Sequence, residues 1–158
     1  AQVTVEGDYS GAVTKAFRVL ASYIFGGNAP RESIAMTTPV SAKPAGTSIA
    51  MTTPVSAVSA DGSWIVSFTM PRQWTMQTLP VPNDPRVTLV EVPAAAFAVR
   101  TFNGRATDSA VKTELDALRA EVEAAGLTID GAPTVSQFNP PWILGPWRRN
   151  EVRWPIAP

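Results

Sequence analysis

Two well-separated stretches of this chain carry one apolar pattern. Val13, Phe17, Leu20 and Ile24 fall at i, i+4, i+7 and i+11, the spacing of one face of an α-helix. Val111, Leu115, Leu118 and Val122 repeat it. Asp8 or Ser10 can cap the first helix and Gly26-Gly27 stops it; Thr107 or Asp108 can cap the second and Gly126 follows it. The pattern predicts helices over 10–25 and 108–125. Two helices in one register require a chain built as two matched halves.

The strands fit that plan. Ser63 to Met70 alternates Trp64, Val66, Phe68 and Met70 on one face, a period of two. Val3 to Glu6 precedes the first helix, and a further strand belongs within 48–70. Arg86 to Val92 and Ala95 to Phe102 flank Pro93 and read as a hairpin; Thr134 to Phe138 and Asn150 to Trp154 read as two more strands. A chain of 158 residues fits one domain, with halves of about 1–72 and 79–158. The second half reads as two strands, helix, two strands. The first has one strand fewer at its front, so an N-terminal strand is expected to be absent from this chain. Fifteen prolines favour interrupted strands over a helical bundle.

The helices differ on their flanks. Beside the first stripe lie Ala12, Ala16, Val19 and Tyr23; beside the second lie Glu114, Ala117 and Glu121. The first helix is therefore either more deeply buried or one wall of a ligand pocket. Composition removes several chemistries. Without cysteine or histidine there is no disulfide, no thiolate, and neither the commonest metal ligand nor the commonest proton-transfer group. Lys plus Arg and Asp plus Glu both total 13, which gives no sign of a nucleic-acid or anionic-membrane partner and offers little electrostatic resistance to self-association. No apolar run approaches the roughly 18 residues of a membrane span. Nothing in the sequence assigns a compartment.

Ser33 to Ala42 and Ser48 to Ala57 are the same ten residues, SIAMTTPVSA, separated by KPAGT. Pro39 and Pro54 push the preceding threonines to extended geometry. Met36 and Met51 then read either as adaptable core fillers or as thioethers able to contact a tetrapyrrole face or weakly ligate heme iron. The second copy leads through Ser59-Ala60-Asp61-Gly62 into the next strand, so it is the better strand candidate. The first is expected to be a loop or edge segment lying over the open end of the sheet, the more mobile of the two, with Met36 as a lid residue.

FGGN (Phe25 to Asn28), the doubled IAMTTPV, WIVSFTMP (Trp64 to Pro71), LPVPNDPRV (Leu79 to Val87), VEVPAAAFAVRTFNG (Val90 to Gly104), FNPPW (Phe138 to Trp142) and PWRRNEV (Pro146 to Val152) occur in that order. Together they resemble the SOUL/heme-binding protein family, in its bacterial and plant type with the motif doubled, over nearly the whole chain. The resemblance implies an α+β fold: a distorted β-barrel of mixed or antiparallel strands, flanked by two helices and built as a pseudo-twofold repeat. It also implies reversible binding of heme or another tetrapyrrole in an apolar groove against the first helix. A histidine ligand to iron is impossible here.

On this reading the chain is a tetrapyrrole carrier or buffer and not an enzyme. Its partner is a small hydrophobic ligand. The expected pocket lies between the first helix and the 48–70 sheet, lined by Val19, Tyr23, Met51, Phe68 and Met70. Arg31, Lys43 and Arg72 are the candidate partners of the propionates, since arginine offers a forked cation to carboxylates. Arg148 and Arg149 read as a structural network, one of them paired with Glu151. Trp142 and Trp147 are expected to cover the barrel end. The alternative is a small-molecule-sensing or protein-interaction module of the same fold with no heme role, in which Glu91 or Glu151 is the carboxylate to examine. For an enzyme, carboxylates, tyrosine or lysine would have to act, and no carboxylate pair, phosphate loop or nucleophile elbow is present.

Overall fold

A computed structural model of the protein describes residues 1–29, 46–49, 55–60, 62–139 and 143–157. In chain order the elements are β1 (Gln2–Glu6), α1 (Tyr9–Ile24), β2 (Asn28–Ala29), β3 (Val55–Ala60), β4 (Ser63–Phe68), β5 (Val81–Pro82), β6 (Ala96–Asn103), α2 (Asp108–Ala124), β7 (Thr134–Gln137), a single 3-10 turn (Gly145–Trp147) and β8 (Arg149–Ile156). Two helices and a set of antiparallel strands make the expected α+β fold.

Six strands form one sheet in the order β1-β4-β3-β7-β8-β6, and β2 pairs with β5 apart from it. Each half is strand, helix, strand, strand, with its first strand against its last. The halves join where β3 meets β7. Register carries one row straight across the helix-covered face: Val3, Val66, Ala57, Val135, Val152 and then Arg100. The five apolar members are each at most 2 % exposed, so this row is the floor of the core. Its strand order is palindromic, first, last and third element of one half meeting third, last and first of the other, with Ala57 opposite Val135 at its centre. β1 and β6 are the outer strands, and no pairing between them is seen among the described residues.

The helices lie over equivalent strand pairs, α1 on β1 and β4, α2 on β6 and β8. Asp8 caps α1, its carboxylate accepting from the Gly11 N–H at 2.7 Å, and Thr107 caps α2 through its hydroxyl. Asp108 also accepts from the Tyr9 N–H at 2.9 Å and the Ser10 hydroxyl at 3.1 Å. The first residue of α2 thus satisfies a free donor at the start of α1, which holds the two helix N-termini together. Arg100 on β6 holds α2 to the sheet through Glu114 and Glu121, both at 2.6 Å.

Two sequence expectations change. Ala12 and Ala16, placed on the flank of α1, are fully buried with Tyr9, Leu20, Tyr23 and Ile24, whereas Val13 and Phe17 are only half-buried. The alanines let α1 approach the sheet closely, and that contact turns the bulkier pair toward its edge. Arg86 to Val92 is not a strand. Only Thr88 bridges, to Gln2, and Val90, Glu91 and Val92 are exposed. The outer edge of β1 pairs with this segment only at Gln2, and Pro85 and Pro93 on either side have no N–H to extend the pairing. The imbalance read between the halves rests on 86–92; with it unpaired, both halves carry the same string of elements.

The second SIAMTTPVSA copy enters the fold at both ends. Ser48 bridges Phe25, the Ile49 N–H donates to the Ile24 carbonyl at 2.7 Å, and Val55 to Ala57 open β3. The first copy, Met36 and Met51 lie outside the described residues.

Candidate functional site

Val13 and Phe17, half-buried at the margin of the core, also wall a groove. The groove has a volume of about 510 Å³, within the range of small-molecule sites. Ser10, Thr14 and Arg18 continue the α1 wall; Val55 at the start of β3 and Gln137 at the end of β7 form its base. The segment Arg105 to Thr107 before α2 closes one end, with Asn139 and Arg148 beside it. Phe17 is held by an edge-to-face contact with Phe68, ring centroids 5.5 Å apart. Arg148 is anchored by its Nε, which donates to the Ile143 carbonyl at 2.8 Å. Among the described residues the lining holds three arginines and no carboxylate. It therefore suits an apolar body bearing acid groups.

Among the described residues that lining contains no imidazole, thiolate, thioether or phenol, the usual side-chain ligands of heme iron. Among the described residues no cluster of His, Cys, Asp and Glu could hold a metal ion.

A second, smaller cleft of about 310 Å³ lies against α2. It is the pseudo-symmetric mate of the first. Asp108, Val111, Lys112, Leu115 and Asp116 line it where Ser10, Val13, Thr14, Phe17 and Arg18 line the groove, and Pro133 stands where Val55 does. Trp64, Trp154 and Tyr9 supply an aromatic floor. Tyr9 packs edge-to-face on Trp64 at 5.1 Å, and its phenol accepts from Gln137 Nε2 at 2.8 Å. Burial pushes that phenol up to about 12, partly offset by the Gln137 hydrogen bond.

None of the described residues expected from sequence lines either cleft. Tyr23 is in the core, its hydroxyl donating to the Pro80 carbonyl at 2.9 Å. Phe68 is in the core beneath Phe17. Val19 and Met70 are half-buried against the core, and Arg72 is exposed. Arg31, Met36, Lys43 and Met51 lie outside the described residues. Sequence reasoning missed Arg18 and Arg105. Nothing local marks them, because α1 and the loop before α2 meet only through the fold.

Several motif residues have structural work. Asn28 of FGGN is buried; its Nδ2 donates to the Tyr23 and Thr47 carbonyls at 2.7 and 2.8 Å, and its Oδ1 accepts the Thr47 N–H at 2.8 Å. A Cβ on Gly46 would collide with the Gly26 carbonyl, so backbones meet there with no room for a side chain. In NDPR, Asp84 accepts from the Arg86 side chain and N–H, which hold its carboxyl down to about 2. In RRNEV, Arg149 pairs with Glu151 at 2.8 Å and buried Asn150 donates to the Gly104 carbonyl at 3.0 Å, as the network reading expected. Glu91 is exposed, and Trp147 stands 77 % exposed instead of covering the sheet.

A search of curated proteins found no match. The family model described as SOUL heme-binding protein matches residues 1–155, nearly all of a chain that sets a cationic, apolar-walled groove along its first helix, and the protein belongs to the SOUL heme-binding protein family.

Proposed function

We propose that this protein reversibly binds heme or a related tetrapyrrole in the α1 groove and acts as a carrier or buffer. The supporting observation is the lining: among the described residues, apolar Val13, Phe17, Val55 and Ala106 with three arginines and no carboxylate. The ring lies on the apolar wall, and Arg18, Arg105 and Arg148 meet its carboxylates. Arginine forks suit that task. A bound tetrapyrrole supplies its own redox or light-absorbing chemistry; the chain's part is to bind, orient and shield it. Ring burial contributes several kcal/mol at roughly 25 cal/mol per Å², reduced by ordering and desolvation. With no His or Cys in the chain, affinity comes from the ring and its acids, not from iron.

The test is titration of the apo-protein with hemin and with protoporphyrin IX, following the Soret band and tryptophan quenching. Both should saturate with dissociation constants within about tenfold of each other. A hemin preference above about a hundredfold refutes the iron-independent reading. Location is decided by variants. Phe17→Ala and Arg18→Gln should weaken binding, while Met70→Ala and Arg72→Gln should not. The reverse pattern moves the ring to the placement expected from sequence, against Val19, Tyr23, Phe68 and Met70.

A further inference from the structure

The residues just before β8 present apolar surface in an unusual way. Leu144 and Trp147 are 72 % and 77 % exposed, and Pro146 between them is exposed as well. They do not sit on a loose loop. The Trp147 N–H donates to the Leu144 carbonyl at 3.0 Å and the Arg148 N–H to the Gly145 carbonyl at 3.1 Å. Arg148 Nε ties back to the Ile143 carbonyl, and the Gly104 N–H holds the Arg148 carbonyl at 3.0 Å. The turn is ordered before anything binds it, so little further ordering is required on docking.

Its surroundings are cationic. The Arg105 side chain runs along Gly145, where an added Cβ would stand 3.5 Å from Arg105 Cγ. Arg105 and Arg18 form no ion pair among the described residues. Arg105 and Arg148 also line the α1 groove, so the exposed turn stands at the groove's own margin.

We propose that the Leu144–Trp147 turn docks this protein on an anionic lipid surface, with the mouth of the α1 groove at that surface. Tryptophan and leucine enter the headgroup layer, where an amphipathic indole is favoured, and the adjacent arginines meet lipid phosphates. A protein partner fits less well. A stable interface buries about 800 Å² on each side, and two side chains spaced by Gly-Pro do not supply that. The purpose of docking rests on the tetrapyrrole reading: an apolar ligand dissolved in a bilayer passes into a groove at the surface without crossing bulk water. The docking itself does not depend on it.

The experiment is co-sedimentation of the ligand-free full chain with phosphatidylcholine vesicles, with and without phosphatidylglycerol. The protein should partition onto the anionic vesicles, and added salt should weaken this. The double variant Leu144→Ser/Trp147→Ser should partition about tenfold or more weakly, the loss of two inserted apolar side chains. Arg105→Gln should lose about fivefold, since a basic residue at such a surface is worth about 1 kcal/mol. Unfolding midpoints of the double variant should match the parent, both side chains being solvent-exposed. Absence of vesicle binding, equal binding to neutral and anionic vesicles, or full binding by the double variant overturns the proposal. Protoporphyrin titration without vesicles separates the two readings. Vesicle binding that depends on Leu144 and Trp147, in a protein that takes up no porphyrin, sustains docking and removes the tetrapyrrole reading.

Discussion

Replacing Asn28 by alanine should cost this protein a large part of its stability. The side chain is 3 % exposed and makes three hydrogen bonds. It fixes the last turn of α1 to Thr47, just ahead of the second SIAMTTPVSA copy. The Tyr23 carbonyl bond is fully buried, so its loss costs about 1–3 kcal/mol in an unsatisfied acceptor. The two bonds to Thr47 are part-buried and are worth about 0.5–1.5 kcal/mol each. Together the loss is about 2–6 kcal/mol. With a slope near 2 kcal/mol per molar urea, the midpoint should fall by about 1–3 M. Asn28→Asp sharpens the test. It keeps the acceptor for the Thr47 N–H but sets a carboxylate against two carbonyls. Burial beside acceptors raises that carboxyl in the folded state. Its penalty is therefore absent below the unfolded pKa and grows as pH rises toward the folded one. At neutral pH the aspartate variant should be no more stable than the alanine variant, and it should gain on it as pH falls. A midpoint shift for Asn28→Ala worth less than about 0.5 kcal/mol, or an aspartate variant as stable as the parent at neutral pH, refutes this account.

Two further outcomes are expected. The Tyr9 phenol, pushed up to about 12 by burial from an ordinary 10.0, contributes stability that is fully present below pH 10 and lost as pH rises toward 12; the gap is worth about 3 kcal/mol. Alkaline unfolding curves of the parent should drop across that window while Tyr9→Phe falls less, and parallel curves would show that the phenol carries no such linkage. For the doubled motif, the sequence reading of the second copy as a strand and the first as a covering loop predicts that Met51→Ala lowers stability by about 2–5 kcal/mol, whereas Met36→Ala leaves the unfolding midpoint nearly unchanged and weakens ligand binding; equal losses would make the copies equivalent.

The helices were legible because their signals are local. Asp8 and Thr107 cap them, Gly26 and Gly126 follow them with positive φ, and the apolar period lies between. The choice of core stripe on α1 was not legible. Period alone defines an arc, and which part faces the sheet depends on how near the sheet lies; Ala12 and Ala16 settle that in three dimensions. Residues 86–92 alternate well enough for a strand but find only one bridging partner, and pairing is a property of neighbours. The groove's cations were hidden for the same reason. Arg31, Lys43 and Arg72 are near the motif in sequence, while Arg18, Arg105 and Arg148 come from three distant segments and converge only in the folded chain.

The palindromic row across the sheet has a consequence for how the two clefts came to differ. Antiparallel pairing of Ala57 with Val135 at its centre is the contact that two copies of one strand–helix–strand–strand chain would make by docking third element to third element. Such a homodimer carries two identical clefts and must keep both. Joined in a single polypeptide, the copies are released from that constraint and each can change alone. Arg18 in one cleft answers to Asp116 in the other, Thr14 to Lys112, Ser10 to Asp108 and Val55 to Pro133. Among the described residues one cleft is larger and charged only by arginines; the other is smaller, aromatic and mixed in charge. Every substitution that separates them is a change this backbone has already accommodated, so the α2 cleft is the natural template for redesigning the ligand preference of its twin.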